Sequence, residues 1–290
     1  MLWQTTRFTI DLAQPRVMGI VNLTPDSFSD GGACYQPGGG IAAALRHCEQ
    51  LLHDGADMLD LGAESSRPGA LPLPLEEEVA RLLPVLQAAL KLGVPVSVDT
   101  YKPQVMQIAL DAGADIINDI WALRQPGAMP VIACHPNCGV CLMHMHRNPQ
   151  TMQSAPMAGD AVPQVALFLQ QQADALKNLG IATKRICIDP GIGFGKTVAQ
   201  NFALLARQSE LLALGYPLLV GWSRKSSLAA AINPSLANAA ALDPKERMVP
   251  SVAAAVLAAE RGARVLRVHD VRDTVQVLKI WQAMQNTAIA

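Results

Sequence analysis

Aromatic residues are scarce in this chain: Phe, Trp and Tyr make up 4% of its 290 residues. Charged residues are few as well, 16% against 50% apolar, and the formal net charge is −1. There is no basic run and no basic segment interleaved with aromatics, so a nucleic-acid surface is not expected. An anionic ligand has to be held by charges placed locally. Long apolar runs are missing too. SVAAAVLAA (251–259) is among the longest, against roughly 20 residues for a bilayer-spanning helix. The opening MLWQTTRFTIDLAQPR has neither the apolar core nor the small-residue cleavage site of a secretory leader. The expected location is the cytoplasm, with no membrane partner. Six cysteines in such a setting are expected to be free thiols. The segment CHPNCGVCLMHMH (134–146) has a zinc-like composition. Read as a strand over 139–146, it sets Cys141 with Met143 and Met145 on one face and His144 with His146 on the other, so paired ligands face apart.

What the sequence does contain is alternation of two kinds of segment. Eight short apolar runs read as strands: 16–24, 57–63, 94–100, 115–120, 139–146, 185–191, 217–223 and 264–270. Helical patterns lie between them at 40–55, 75–93, 163–180, 201–215, 246–262 and 271–284. The junctions DGADMLDLG, AGADIINDI and RGARVLRVH share one form, which suggests a repeated unit. Eight such units, with strands apolar on both faces, predict an α/β fold: a (β/α)8 TIM barrel in one domain over 1–290. RFTIDLA (7–13) alternates and is expected to form a short hairpin closing the barrel bottom. The irregular stretches 24–40 and 63–75 follow strands one and two and are expected at the barrel mouth.

DPGIGFGKT (189–197) looks like a phosphate cradle. A P-loop needs Gly where Pro190 stands, and the dinucleotide fingerprint needs its third Gly where Lys196 stands. Both readings fail at a position where glycine has a backbone role.

Active sites of (β/α)8 barrels lie at the C-terminal strand ends. Here those ends carry Asn22, then Glu64 to Arg67 after strand two, Asp99, Asn118 and Asp119, Met143, Asp189, Ser223 with Lys225, and Arg267 with His269. A single Asn or Asp at a strand end is commonly a cap, but polar or charged groups at no fewer than seven of eight strand ends are not explained that way. Alternation places Met18, Ile20 and Asn22 on one face, Ser97 with Asp99, and Arg267 with His269. Polar groups over an apolar floor suit a ligand pocket. Arg267, His269 and Asn22 can hold phosphate oxygens. Asp99, Asn118 and Asp189 offer acceptors and an amide to a flat, donor-rich heterocycle. Lys225 can be read as a Schiff-base lysine or as a positive binding group.

At this point the motifs match a family. MGIVNLTPDSFSDGG (18–32), DLGAESSRPGA (60–70), VSVDTYKP (96–103), INDI (117–120), CLMHM (141–145), DPGIGFGK (189–196), GWSRKS (221–226) and RVHDV (267–271) together resemble the dihydropteroate synthases of folate biosynthesis, in order and over essentially the whole chain. The resemblance implies a Mg²⁺-assisted transferase. It would join 6-hydroxymethyl-7,8-dihydropterin pyrophosphate to p-aminobenzoate, by dissociative loss of pyrophosphate and attack of the arylamine, and would be a sulfonamide target. It implies Asp99, Asn118, Met143, Asp189 and Lys225 at the pterin, with Asp99, Lys225 and Arg267 taking part in the chemistry. It implies Asn22, Arg267 and His269 at the pyrophosphate, with Asn22 at the metal. Ser66, Arg67, Pro68, Phe194 and Ser223 would surround p-aminobenzoate, and a flexible loop would bring Phe28 and Asp30 near the reacting centre. A homodimer is also implied, with the late helices 246–261 and 272–286 as the expected contact.

Three positions depart from the family's usual pattern. Ser66 stands for Thr, Pro250 for Gly, and Tyr101 for a small residue. Pro250 is expected to fit a first helical turn, and Tyr101 to alter a rim contact. Two rivals share the pterin set: a methyltetrahydrofolate methyltransferase domain and a non-catalytic pterin-binding barrel. The former needs no pyrophosphate site, and NLTPDSF, ESSRPGA and RVHD speak against it.

Overall fold

The computed structural model describes residues 1–24, 39–65, 69–152, 154–233 and 243–287. Strands β1 (Leu2–Gln4) and β2 (Thr9–Asp11) pair antiparallel. Eight parallel strands follow: β3 (Arg16–Asn22), β4 (Met58–Gly62), β5 (Val96–Asp99), β6 (Ile116–Asp119), β7 (Gly139–Met143), β8 (Ile186–Asp189), β9 (Leu219–Val220) and β10 (Val265–Val268). They pair in the order β8-β7-β6-β5-β4-β3-β10-β9. A bridge between Ile188 and Leu218 returns the last strand to the first. The expected (β/α)8 barrel is therefore present.

The helices are α1 (Gly39–His53), α2 (Leu75–Ala89), α3 (Pro103–Asp111), α4 (Ala128–Cys134), α5 (Ala161–Asn178), α6 (Val198–Ala206), α7 (Gln208–Leu212), α8 (Ser226–Ile232), α9 (Met248–Glu260) and α10 (Val271–Thr287). Periodicity alone misses α3, α4 and α8, which at 9, 7 and 7 residues give too few turns for an amphipathic stripe to stand out. The single segment 201–215 is two helices, α6 and α7, separated at Arg207. Pro250 is the third residue of α9, where its missing N–H has no intrahelical acceptor to lose.

Two expectations need correction. Strand five does not run to His146: β7 ends at Met143. Its neighbour β8 ends at Asp189 and Pro190 follows, so beyond the last ladder bond, His144 N to Asp189 O at 2.9 Å, no partner strand remains. The hairpin is not confined to 7–13 either. Thr9–Asp11 pairs with Leu2–Gln4, whose three residues are too few to show alternation.

Period-two alternation divides each barrel strand. Leu59, Leu61, Val98, Ile117, Leu142 and Ile188 face the helices in one large cluster. Met18, Met58, Ile116, Cys141, Cys187, Leu219 and Val265 face inward and pack with Trp3, Ile10 and Leu12 of the hairpin. That layer is the barrel floor, and the hairpin closes it. Trp3 is fully buried, and its Nε1 donates to Arg185 O at 3.0 Å. Trp3→Ala is expected to cost about 3–5 kcal/mol of stability, as for a buried tryptophan in a core, measured by urea unfolding. A cost below about 1 kcal/mol would show that the hairpin is dispensable to the floor.

Candidate active site

On five of the barrel strands the inward side chains turn polar above the floor, while β3 and β7 stay apolar there with Ile20 and Met143. Asp60 follows Met58, Asn118 follows Ile116, Asp189 follows Cys187 and Arg267 follows Val265, with Asp99 after Ser97 on β5. Arg267 ties this layer together. Its Nε donates to Asp60 Oδ2 at 2.6 Å and its Nη2 to Asp99 Oδ2 at 2.7 Å. Asn118 Nδ2 donates to the same Asp60 oxygen at 3.2 Å. Burial opposes the charge on Arg267, but Asp60 and Asp99 outweigh it and hold the guanidinium above its ordinary range. Asp99 is raised, chiefly by burial, with Arg267 opposing and Asp60 adding to the rise.

Across the mouth, burial lifts the Asp189 carboxyl to about 6, against the Gly191 N–H at 2.7 Å and the charge of Lys225. Burial, and then Arg267, lower Lys225 to about 8, while Asp189 and Asp99 oppose them. The Lys225 ammonium lies 4.3 Å from the Phe194 ring centroid, a cation–π contact. The neighbouring Arg224 is engaged elsewhere, with Asp270 at 2.6 Å. Ser223 Oγ meets His269 Nδ1 at 2.9 Å and accepts the His269 backbone N–H at 3.1 Å. Met143 clusters with Ile120, Met145, Met152 and Phe194, and Tyr101 and Trp121 pack against them. Asn22 ends β3, half-buried, its Cα paired in register with Gly62. Ser66, Arg67, Pro68, Phe28 and Asp30 lie outside the described residues.

The site is thus an apolar floor, a layer of paired opposite charges and an aromatic–methionine wall. Residues 18–269 match the profile of the pterin binding enzymes. The dihydropteroate synthase of Neisseria meningitidis serogroup B is 47% identical over 287 residues, covering 98% of this chain and 97% of that protein. The chain belongs to the dihydropteroate synthase family. Among solved structures, the Xanthomonas albilineans dihydropteroate synthase with 4-aminobenzoic acid is 47% identical with a TM-score of 0.86, covering 96% of this chain and 95% of that one. The Burkholderia cenocepacia synthase complexed with 7,8-dihydropteroate is 46% identical with a TM-score of 0.87, covering 99% and 97%. The protein is accordingly an enzyme, a transferase.

Within this family member, the segment 189–197 is held by its lysine. Lys196 is buried, and its Nζ reaches Gly191 O at 2.9 Å, Phe194 O at 3.1 Å, His144 O at 3.4 Å and His144 Nδ1 at 2.9 Å. Burial lowers its pKa to about 7, with Asp189 opposing. The donors that would meet a phosphate in a P-loop are spent on the loop itself. A Cβ at Gly191 would sit 1.9 Å from His144 O, and φ is +66° there, so this glycine serves close chain approach. Thr197 then caps α6 in a reciprocal box with Gln200.

Tyr101, one of the family departures, does make a rim contact. Its hydroxyl donates to Glu64 Oε1 at 2.8 Å, while Glu64 Oε2 accepts Leu73 N at 3.0 Å and also meets Lys102. Lys102 bridges onward to Glu78 at 2.6 Å. The stretch after β4 is thereby fastened at both flanks. Asp119 belongs to no pocket: its carboxylate accepts the N–H groups of Trp121 at 2.8 Å and Leu123 at 2.7 Å, a turn cap.

Sequence reasoning missed Asp60 as part of the polar layer. The signal was available: a carboxylate inside the run DMLDLGA, on the same face as Met58. Lys196 and Lys225 are expected to separate by experiment. Lys196→Met leaves buried carbonyls without a donor and should cost about 1–3 kcal/mol of stability in urea unfolding. Lys225→Met should change stability little and weaken pterin binding in calorimetry. The reverse pattern would exchange their roles.

Proposed function

We propose that the protein, as one pterin-binding domain over 1–290, condenses 6-hydroxymethyl-7,8-dihydropterin pyrophosphate with p-aminobenzoate, giving 7,8-dihydropteroate and pyrophosphate. The observation that carries this reading is the polar layer itself. An arginine fixed by two carboxylates stands opposite a buried Asp189 and Lys225, above a closed apolar floor. In this reading Asp189 accepts two parallel N–H bonds from the pterin amidine edge, Asn118 and Lys225 meet its remaining ring polar atoms, and Met143 packs on the ring. Arg267 and His269 receive the pyrophosphate. Ser66, Arg67, Pro68, Phe194 and Ser223 surround the arylamine, and Phe28 and Asp30 belong to a loop that closes on the centre.

Bond breaking then leaves the electron pair on the pyrophosphate oxygen and positive charge on the pterin methylene. Arg267 stabilises the anion, and Asp99 stabilises the cation. The amine nitrogen of p-aminobenzoate forms the new C–N bond and then loses a proton. An arylamine needs no strong base for this attack. Exclusion of water protects the cation from hydrolysis. Among the described residues no three His, Cys, Asp or Glu side chains gather as a metal cage. The Asn22 amide oxygen at a strand end fits Mg²⁺ held by one or two protein groups together with substrate phosphates and waters. When bound, Mg²⁺ would neutralise charge on the departing pyrophosphate.

The protein is taken to work in the cytoplasm; no helix among the described residues is long and apolar enough to cross a membrane. It is taken to work as a homodimer through α9 and α10, where Val249 is 70% and Ile280 73% exposed. Ile280→Glu should shift sedimentation from dimer to monomer, and an unshifted dimer would place the contact elsewhere.

Turnover is the direct test. Pterin pyrophosphate, p-aminobenzoate and Mg²⁺ should yield dihydropteroate, and sulfonamides should compete with p-aminobenzoate. Folded protein giving no product would refute the synthase reading and favour a binding barrel. Binding of a neutral pterin should also depend on pH. Protonation of Asp189 below about 6 removes the acceptor, and deprotonation of Lys225 above about 8 removes a donor. Affinity should rise with pH through about 6 and fall above about 8. A flat calorimetric profile across that window would contradict the assigned roles.

A further inference from the structure

Asp60 lies in the middle of β4, fully buried and on the inward face. One of its oxygens, Oδ2, carries two bonds: Arg267 Nε at 2.6 Å and Asn118 Nδ2 at 3.2 Å. The other, Oδ1, is buried and has no donor among the described residues. A buried carboxylate in that state is costly unless its charge is met closely. Here the compensation rests on Arg267 and Asn118, which come from β10 and β6 on either side of the barrel mouth.

The guanidinium is a rigid planar fork. Bonding Nε to Asp60 and Nη2 to Asp99, on adjacent strands, fixes both the position and the plane of that fork. Nη1 has no partner among the described residues and remains for an incoming anion. The same Asp60 oxygen sets the rotamer of the Asn118 amide, and with it which edge the pterin meets. A carboxylate is needed for this task because it accepts from both donors and also balances the arginine charge, which a neutral amide oxygen cannot do. Asparagine at this position would accept on its oxygen but place an NH₂ group, and no charge, beside the guanidinium.

Resting on the synthase reading above, we propose that Asp60 is a positioning residue for the reaction: it sets Arg267 and Asn118 from a single carboxylate oxygen, and so couples the pyrophosphate subsite to the pterin subsite. It touches neither substrate and acts through the two residues it holds.

The test is calorimetry on the full chain with two probes, 6-hydroxymethylpterin and its pyrophosphate ester with Mg²⁺, for wild type, Asp60→Asn, Arg267→Lys and the double variant. Asp60→Asn should weaken the pyrophosphate ester about 10- to 100-fold, the range of a lost charge-assisted bond. It should weaken the unphosphorylated pterin by about 10-fold or less, in the range of a neutral bond. KM for p-aminobenzoate should stay within about twofold. In the Arg267→Lys background, which lacks the rigid planar fork that Asp60 orients, Asp60→Asn should add less than about threefold, because coupled residues are not additive. Additive losses, or equal losses for both pterins and p-aminobenzoate, would overturn the proposal and leave Asp60 a structural residue only. If Asp60→Asn does not fold, Asp60→Ser is read by the same criteria. Both pterin probes report by binding, so an enzyme without turnover would refute the synthase reading and still decide the role of Asp60.

Discussion

The contact on which the site depends is Arg267 held between Asp60 and Asp99. Three strands, β10, β4 and β5, contribute one charge each. Buried between the barrel strands, no single one of these charges would be tolerated unpaired. Together they form a fixed electrostatic centre at the boundary between floor and mouth. Below it, the floor and the N-terminal hairpin seal the barrel. The chemistry requires that boundary. A cationic intermediate and a polyanionic leaving group must be stabilised by charges that are already oriented, in a place from which water can be excluded.

The charges that flank this centre are poised rather than saturated. Burial moves Asp189 up to about 6 and Lys225 down to about 8. Each keeps capacity for a partner that carries both donors and acceptors on one flat edge. Among the described residues Asp189 accepts one backbone N–H, that of Gly191, on one of its oxygens. Lys225 lies over Phe194, and among the described residues no carboxylate forms a salt bridge with it. By contrast Lys196, a few residues away, is fully committed to carbonyls and an imidazole. The hydrogen bonds place Lys196 in the scaffold, and the proposed reading assigns Lys225 to the ligand.

Much of this was legible in the sequence, for a physical reason. Parallel strands buried on both faces read as apolar runs, and a polar residue at the end of such a run is conspicuous. Asp99, Asn118, Asp189, Arg267 and His269 all stood out that way, and the structure brings them to the same mouth. Asp60 did not, because it sits inside its run rather than at the end, where alternation alone reveals that it shares a face with Met58. The short helices α3, α4 and α8 escaped because they are fixed by packing more than by periodicity. The DPGIGFGKT segment misled by composition. Its glycines answer to the close approach of the His144 and His146 backbones, where a Cβ at Gly191 or Gly195 would collide, and not to a phosphate. The Tyr101 contact with Glu64 depends on a partner 37 positions away in the chain, which no local pattern encodes.

The central claim is that the anion is held across the mouth, at Arg267 and His269, and the heterocycle at Asp189 and Asn118. A crystal structure of the protein with pterin pyrophosphate and Mg²⁺ tests it most directly. The account predicts the pyrophosphate oxygens within hydrogen-bond distance of the Arg267 guanidinium, and the pterin amidine edge on the Asp189 carboxylate. A pyrophosphate seated instead on the backbone of residues 190–196, with Lys196 drawn out of its carbonyl cage, would contradict it.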